Sequence, residues 1–440
     1  MKSLWIIVLA TVLPLGGVAQ ETWQFDHGRT KAVIPFQLIN NLIIVPLTVN
    51  GVPLNFLLDS GVEETVLFSL DDTNEITFSN VETLRLRGLG SQNYIECMKS
   101  TGNHLRISGM STRNHNIYIV LDPNFNFSSH IGIPVNGIIG YHFFKDNLVQ
   151  IDYDKRKLIV FKNDKRIRKK LKAQYQTLPM SVEAQKPYII ADILQDKQKL
   201  PAKLLIDTGS SDAVWIFDQR TDLIEIPAKS FDDFLGRGFS GDINGKRARI
   251  AELHLLNFKF DQPIAAFPDS ASTANAKMVE NRAGSVGGEI LRRFNLVFDY
   301  KNNALYMKKG IRYSDPFRYN MSGMELHHDG LQWVQETVQL STARITSALD
   351  IDGTKARDYK YKFALKPVYC VSSVRKGSPA DLAGLQTGDI IRSINNTNAF
   401  KYTLQEIGML LKSEEGRTLE FEIERENQRL KVKFQLQSIL

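Results

Sequence analysis

Two tripeptides hold the residues best suited to chemistry in this 440-residue chain, Asp59-Ser60-Gly61 and Asp207-Thr208-Gly209. The first ends the run Val-Pro-Leu-Asn-Phe-Leu-Leu, the second the run Leu-Pro-Ala-Lys-Leu-Leu-Ile. A buried strand of that kind fixes its carboxylate beside a core, while the hydroxyl and the glycine form the sharp turn that presents it. Carboxylates held this way are candidates for general acid–base work. Other chemistries find less support. No His is placed by motif to activate Cys97 or Cys370 as a nucleophile. The two cysteines read as separate thiols, with an interdomain disulfide as the alternative in an oxidising compartment. The eight His show no metal-ligand spacing, so neither a metal nor another cofactor is expected.

The aspartates lie 148 positions apart, and the same offset returns along the chain. Gly88-Leu89-Gly90 is matched by Gly236-Arg237-Gly238, and Ile138-Ile139-Gly140 by Val286-Gly287-Gly288. Asn147-Leu148-Val149 is matched by Asn295-Leu296-Val297, and Ile151-Asp152-Tyr153 by Phe298-Asp299-Tyr300 with a one-residue slip. Landmarks in one order and nearly one register identify a duplicated unit.

Each copy must position its aspartate with β structure. Leu42 to Val49 and Asn55 to Leu58 are rich in branched apolar residues and are joined by Asn50-Gly51, a hairpin turn pair. Tyr188 to Leu194 and Lys203 to Ile206 repeat this, with Gln195 to Leu200 as the turn. Helix is expected only in short pieces, such as Tyr141 to Lys145.

The doubled apolar-apolar-Asp-[Ser/Thr]-Gly, with apolar-apolar-Gly or a near variant roughly 80 residues later, resembles the aspartic peptidases, particularly their retropepsin-like branch, over Lys31 to Ile311. The resemblance implies a mainly β fold of two duplicated lobes, each an acid-protease-type β barrel, over residues 31–170 and 171–312. It implies that Asp59 and Asp207 share one proton and bind the attacking water, titrating as a unit. Ser60 and Thr208 would bond across the interface, Gly61 and Gly209 would allow the turns, and Gly140 and Gly288 would pack beneath the aspartate loops. Gly88, Leu89 and Gly90, with Gly236, Arg237 and Gly238, become flap candidates closing over a peptide; plain hairpin turns are the alternative. The hydroxyl of Ser210 is placed to bond the outer oxygen of Asp207, which Val62 cannot do for Asp59. Asp59 should therefore keep the shared proton, moving activity towards mildly acidic or near-neutral pH.

Beyond Tyr313 the repeat stops, and 313–357 reads as a linker. Gly377-Ser378-Pro379-Ala380, then Ala383-Gly384-Leu385-Gln386-Thr387-Gly388-Asp389-Ile390-Ile391, resembles a PDZ domain, a small α+β module, over 358–436. Ser378-Pro379 should start a short helix, Gly384 end it, and Leu404 to Leu411 form the helix beside the groove. Such domains add a peptide as an extra strand and hold its terminal carboxylate. The holding loop would lie near Lys360 to Phe363, making Tyr361 and Phe363 groove candidates, although the usual glycines are missing there. A module that only docks on the lobes is the alternative.

Composition sets the remaining expectations. A chain 43% hydrophobic and 23% charged is ordinary globular material. The net charge of +7 is mild and partly local to Lys165, Arg166, Arg168, Lys169 and Lys170. That cluster reads as a solvated loop or edge between lobes and not as a nucleic-acid site, because no aromatic platform accompanies it. Lys2, the apolar Leu4 to Leu15, and Gly17 and Ala19 before Gln20 read as an export signal over 1–19, implying a periplasmic or secreted protein. No segment of the mature chain is long and apolar enough to span a bilayer. Duplication lets one chain build the whole cleft, so a monomer suffices. The expected partners are a peptide or protein substrate and a C-terminal peptide ligand. The competing function is a catalytically inactive peptide-binding or envelope scaffold protein of the same fold.

Overall fold

The computed structural model describes residues 22–68, 75–86, 95–120, 127–195, 197–217, 224–238, 241–273, 279–339 and 359–440. The signal segment and the flap candidates Gly88, Leu89 and Gly90 lie outside the described residues.

The protein is mainly β, and the two copies of the repeat share one strand plan. In the first, Gly137–Ile139 lies between Val52–Leu58, parallel, and Thr65–Leu67, antiparallel; Thr65–Leu67 continues in parallel to Met110–Val120. In the second, Arg282–Val286 lies between Gln198–Ile206, parallel, and Val214–Ile216, antiparallel; Val214–Ile216 continues in parallel to Ile264–Pro268. The hairpin Leu42–Val49/Val52–Leu58 turns at Asn50 and Gly51, whose φ values of 48° and 94° are the left-handed pair this dipeptide favours. Its counterpart runs further than the sequence suggests, with Gln195 still paired to Gln198, so the turn is tighter than Gln195 to Leu200.

The copies join through a shared sheet. Leu148–Asp152 pairs antiparallel with Phe294–Asp299 at its centre, Val149 facing Phe298 and Ile151 facing Leu296. One apolar core runs through both copies, from Ile43, Phe56 and Leu58 to Leu204, Ile206 and Phe298. Burying each such side chain contributes roughly 1.5–3 kcal/mol, so the strands entering both aspartate turns are anchored by the same core.

The basic cluster is not a loop. Lys165–Gln174 is a helix whose first turn is capped by Asp164, the carboxylate accepting from Arg166 N at 2.6 Å. Only Leu171 is buried on it; Lys165, Arg166, Lys169 and Lys170 face water, while half-buried Arg168 donates to Asn163 Oδ1. Cys97 and Cys370 are separate, buried, free thiols.

The C-terminal sheet is larger than the sequence indicates. Met324–Gln339, placed in the linker by sequence, pairs antiparallel with Tyr359–Val374 and forms the edge of that sheet. The ladder joins segments on either side of 340–358 and is interrupted by Asp329-Gly330, so no local alternation marks it. The rest follows the sequence. Ser378 caps the helix Pro379–Leu382, and Gly384 and Gly388 take φ of 88° and 94°. Thr403 and Glu406 form a capping box on Leu404–Leu411. Buried Asp389 accepts from Arg425 at 2.6 and 2.7 Å. No helix among the described residues is long and apolar enough to cross a membrane.

Candidate active site

The strands Val52–Leu58 and Gln198–Ile206 deliver Asp59 and Asp207 to one place. Asp59 N donates to Ile139 O and Asp207 N to Val286 O, both at 2.9 Å, so each aspartate is tied to the central strand of its own copy. The next residue ties the copies to each other. Ser60 N donates to Thr208 Oγ1 at 2.9 Å, and that hydroxyl donates to Leu58 O at 2.8 Å. Thr208 N donates to Ser60 Oγ at 3.1 Å, and Ser60 Oγ donates to Ile206 O at 2.6 Å. Both residues are fully buried.

Gly61 N donates to Asp59 Oδ1 at 2.7 Å, and Gly209 N to Asp207 Oδ1 at 3.0 Å. These glycines are required by close approach: a Cβ on Gly209 would fall 2.2 Å from Asp59 Oδ2, and one on Gly61 3.2 Å from Asp207 Oδ1. The contact of each turn with the other copy's carboxylate defines the pair. The two carboxyl groups are close enough for each to act on the other's ionisation.

Electrostatics separates their roles. Burial, and then the charge of Asp207, push the Asp59 pKa up to about 8, against the opposing Gly61 N–H and Lys186. Burial also raises Asp207, but Arg282, the Gly209 N–H, the bond from Asp59 and the Ser210 N–H all favour its anion. Asp59 is therefore the carboxyl that keeps a proton more readily, and Asp207 the one whose anion is favoured. The direction agrees with the sequence reading; the cause differs. Ser210 acts through its main-chain N–H, while its hydroxyl lies near Gly287, where a Cβ would come within 2.9 Å.

The packing glycines need one correction. Gly140 lies under the first turn, where a Cβ would sit 2.0 Å from Val62 O. Its structural counterpart is Gly287, not Gly288, because Ile139 and Val286 occupy equivalent positions beside Leu58 and Ile206. A Cβ on Gly287 would meet Asp212 O at 2.5 Å and Ser210 O at 3.0 Å. Gly288 also lies against the second aspartate loop, 3.0 Å from Ser210 O by the same measure, but its closest approach is to the first copy, 2.6 Å from Asn41 O. The repeat slips by one residue before this point, so a constant offset selects the wrong member of the Gly-Gly pair.

Gly236, Arg237 and Gly238 lie at the end of the strand Ser230–Gly238, paired with Gly241–Arg249, so a hairpin stands where the second flap was expected. Sequence reasoning missed Arg282, Lys186 and a half-buried Arg247 on that hairpin. None stands in a motif, and only tertiary proximity marks them.

Tyr361 and Phe363 do not flank the groove helix. They lie on the outer part of the long C-terminal hairpin, opposite Thr337 and Gln335, and Phe363 is 61% exposed. The edge strand that shares a core with Leu404, Ile407 and Leu411 is the start of Met324–Gln339, through Met324 and Leu326. The loop before it is tied to the helix end, Met321 N donating to Leu411 O at 3.0 Å. That loop carries the glycine missing from the expected position: Gly323, with φ of 79°.

Among known families, residues 45–143 match the one described as aspartyl protease, and residues 370–425 match the PDZ domain. The chain thus carries an aspartyl protease domain and, at its C-terminal end, a PDZ domain. No curated protein sequence matches the chain.

Proposed function

We propose that this protein is an aspartic endopeptidase in which Asp59 and Asp207 activate a water between them. The observation that carries the reading is the reciprocal Ser60–Thr208 lock, which holds each aspartate turn against the other copy's carboxyl group. In this mechanism ionised Asp207, supported by Arg282 and main-chain N–H groups, takes a proton from water. Protonated Asp59 hydrogen-bonds or protonates the scissile carbonyl. Like charges at this distance cannot both ionise cheaply, which keeps the pair singly protonated over a wide pH range.

The PDZ domain supports recruitment or positioning of a protein substrate; a peptide adding at the Met324 to His328 edge, beside the helix Leu404–Leu411, would displace the first-copy segment that meets His327 and Leu404 there. Export by the N-terminal signal would place this activity in the periplasm or outside the cell. The test is cleavage of unfolded protein substrate across pH by the wild type, Asp59→Asn and Asp207→Asn, with a pepstatin-type inhibitor alongside. Cleavage by the wild type that both variants abolish is expected; cleavage persisting in both refutes the assignment.

A further inference from the structure

The PDZ domain is not held to the rest of the chain by its linker alone. On one side it packs against the second-copy hairpin. The guanidinium of Arg375 lies 4.3 Å from the centre of the Phe231 ring, and its Nη1 is 3.3 Å from Asp233 Oδ1. Phe231 is buried in the PDZ core beside Tyr319, with ring centres 5.5 Å apart, and Arg249 Nη2 donates to Phe317 O at 3.2 Å. On the other side the PDZ domain meets the first copy, where a Cβ on Gly132 would lie 3.0 Å from Leu404 Cβ. The rings of His130 and His327 stand 6.1 Å apart at the same seam.

From Arg375 a chain of alternating charges runs inward. Asp233 Oδ2 accepts from Arg247 Nε at 2.7 Å, and Arg247 Nη1 donates to Asp212 Oδ1 at 2.8 Å. Asp212 Oδ2 accepts from Trp215 Nε1 at 2.7 Å, and its main-chain oxygen accepts from Glu289 N at 3.2 Å. Asp212 lies in the segment following Asp207, against Gly287. The four charged side chains are 12–19% exposed. Two cations alternate with two anions, so each member is compensated only while its neighbours stay in place.

We propose that the PDZ domain is a fixed brace on this hairpin. In this arrangement Arg375, Asp233 and Arg247 are positioning residues that set the hairpin's stance and the loop after Asp207. The contacts fall at the base of the hairpin, around Phe231 to Asp233, and not at its Gly238/Gly241 end. Such a brace fixes the root of the hairpin. The link to catalysis rests on the peptidase reading above; the brace itself does not.

The experiment uses the full chain, with Arg375→Met, Asp233→Asn and the charge-retaining Arg375→Lys. Two readouts are taken: amide hydrogen exchange, and peptide cleavage resolved into kcat and KM. In Arg375→Met and Asp233→Asn, amides of 230–238 and 241–249 should exchange faster while those of Gln198–Ile206 keep their protection. KM should rise roughly five- to tenfold with kcat less affected, within the range of ordinary site-to-site coupling. Arg375→Lys should restore most of both, and the double variant should be no worse than the stronger single one. Unchanged hairpin exchange in Arg375→Met and Asp233→Asn overturns the brace whatever the activity. Faster exchange with unchanged kcat and KM overturns its link to the active site. If the wild type cleaves nothing, the peptidase reading fails separately and exchange still decides the brace. If Arg375→Met does not fold, the near-isosteric Asp233→Asn carries the test.

Discussion

Thr208→Val tests the lock between the two copies directly. The substitution keeps the branched shape and removes one hydroxyl. That hydroxyl accepts from Ser60 N at 2.9 Å and donates to Leu58 O at 2.8 Å. Thr208 and Ser60 are both fully buried, so water cannot replace it at either partner. An orphaned buried donor or acceptor costs about 1–3 kcal/mol, so two of them should cost roughly 2–6 kcal/mol. That is a large part of the total stability of about 5–15 kcal/mol typical of a folded protein. Urea unfolding of wild type, Thr208→Val and Thr208→Ser measures it. The Ser variant keeps the oxygen and should lose only about 1 kcal/mol, through its missing methyl group. The Val variant should also lose kcat, because the turns that aim the carboxyl groups are no longer joined. If Thr208→Val stays within about 0.5 kcal/mol of wild type, the scale of an inert surface substitution, the interlocking argument is wrong.

The catalytic pH profile should retain activity up to near neutrality and decline as pH passes about 8, where Asp59 loses its proton. A rate optimum confined to strong acid contradicts this. Arg282→Gln removes the cation that favours ionised Asp207, so the acidic limb of the profile should move to higher pH; an unmoved limb dismisses Arg282 from the site. For stability the sign is reversed from that of a salt-bridged carboxylate. The Asp59 pKa is raised from 3.8 to about 8, so ionisation is harder in the folded state, and stability falls as pH climbs between those values. Asp59→Asn should therefore melt above wild type at pH 7, with the gap closing below pH 4, as thermal scans at both would register. Gly287→Ala places a Cβ 2.5 Å from Asp212 O and should unfold at lower urea than wild type. Equal midpoints would return the packing role to Gly288.

Local chemistry made much of this protein legible before any coordinates. Asp-[Ser/Thr]-Gly after an apolar strand is a short-range device, and its recurrence exposed the duplication and both carboxylates. Asn50-Gly51 and the Ser378 cap are likewise decided by a few neighbouring residues, and each appears as its sequence indicates. What required tertiary structure was every feature settled by non-local pairing. The slip that makes Gly287 the partner of Gly140 appears only when Val286 is seen beside Ile206. Met324–Gln339 becomes a PDZ strand only through hydrogen bonds to Tyr359–Val374, a segment well separated from it in sequence. Arg282 and Lys186 reach the aspartates, and Arg375 reaches Asp233, across distances in the chain that no spacing rule encodes. A turn or a cap depends on a few dihedral angles, whereas an electrostatic environment depends on which distant side chains the folded core brings out of water together.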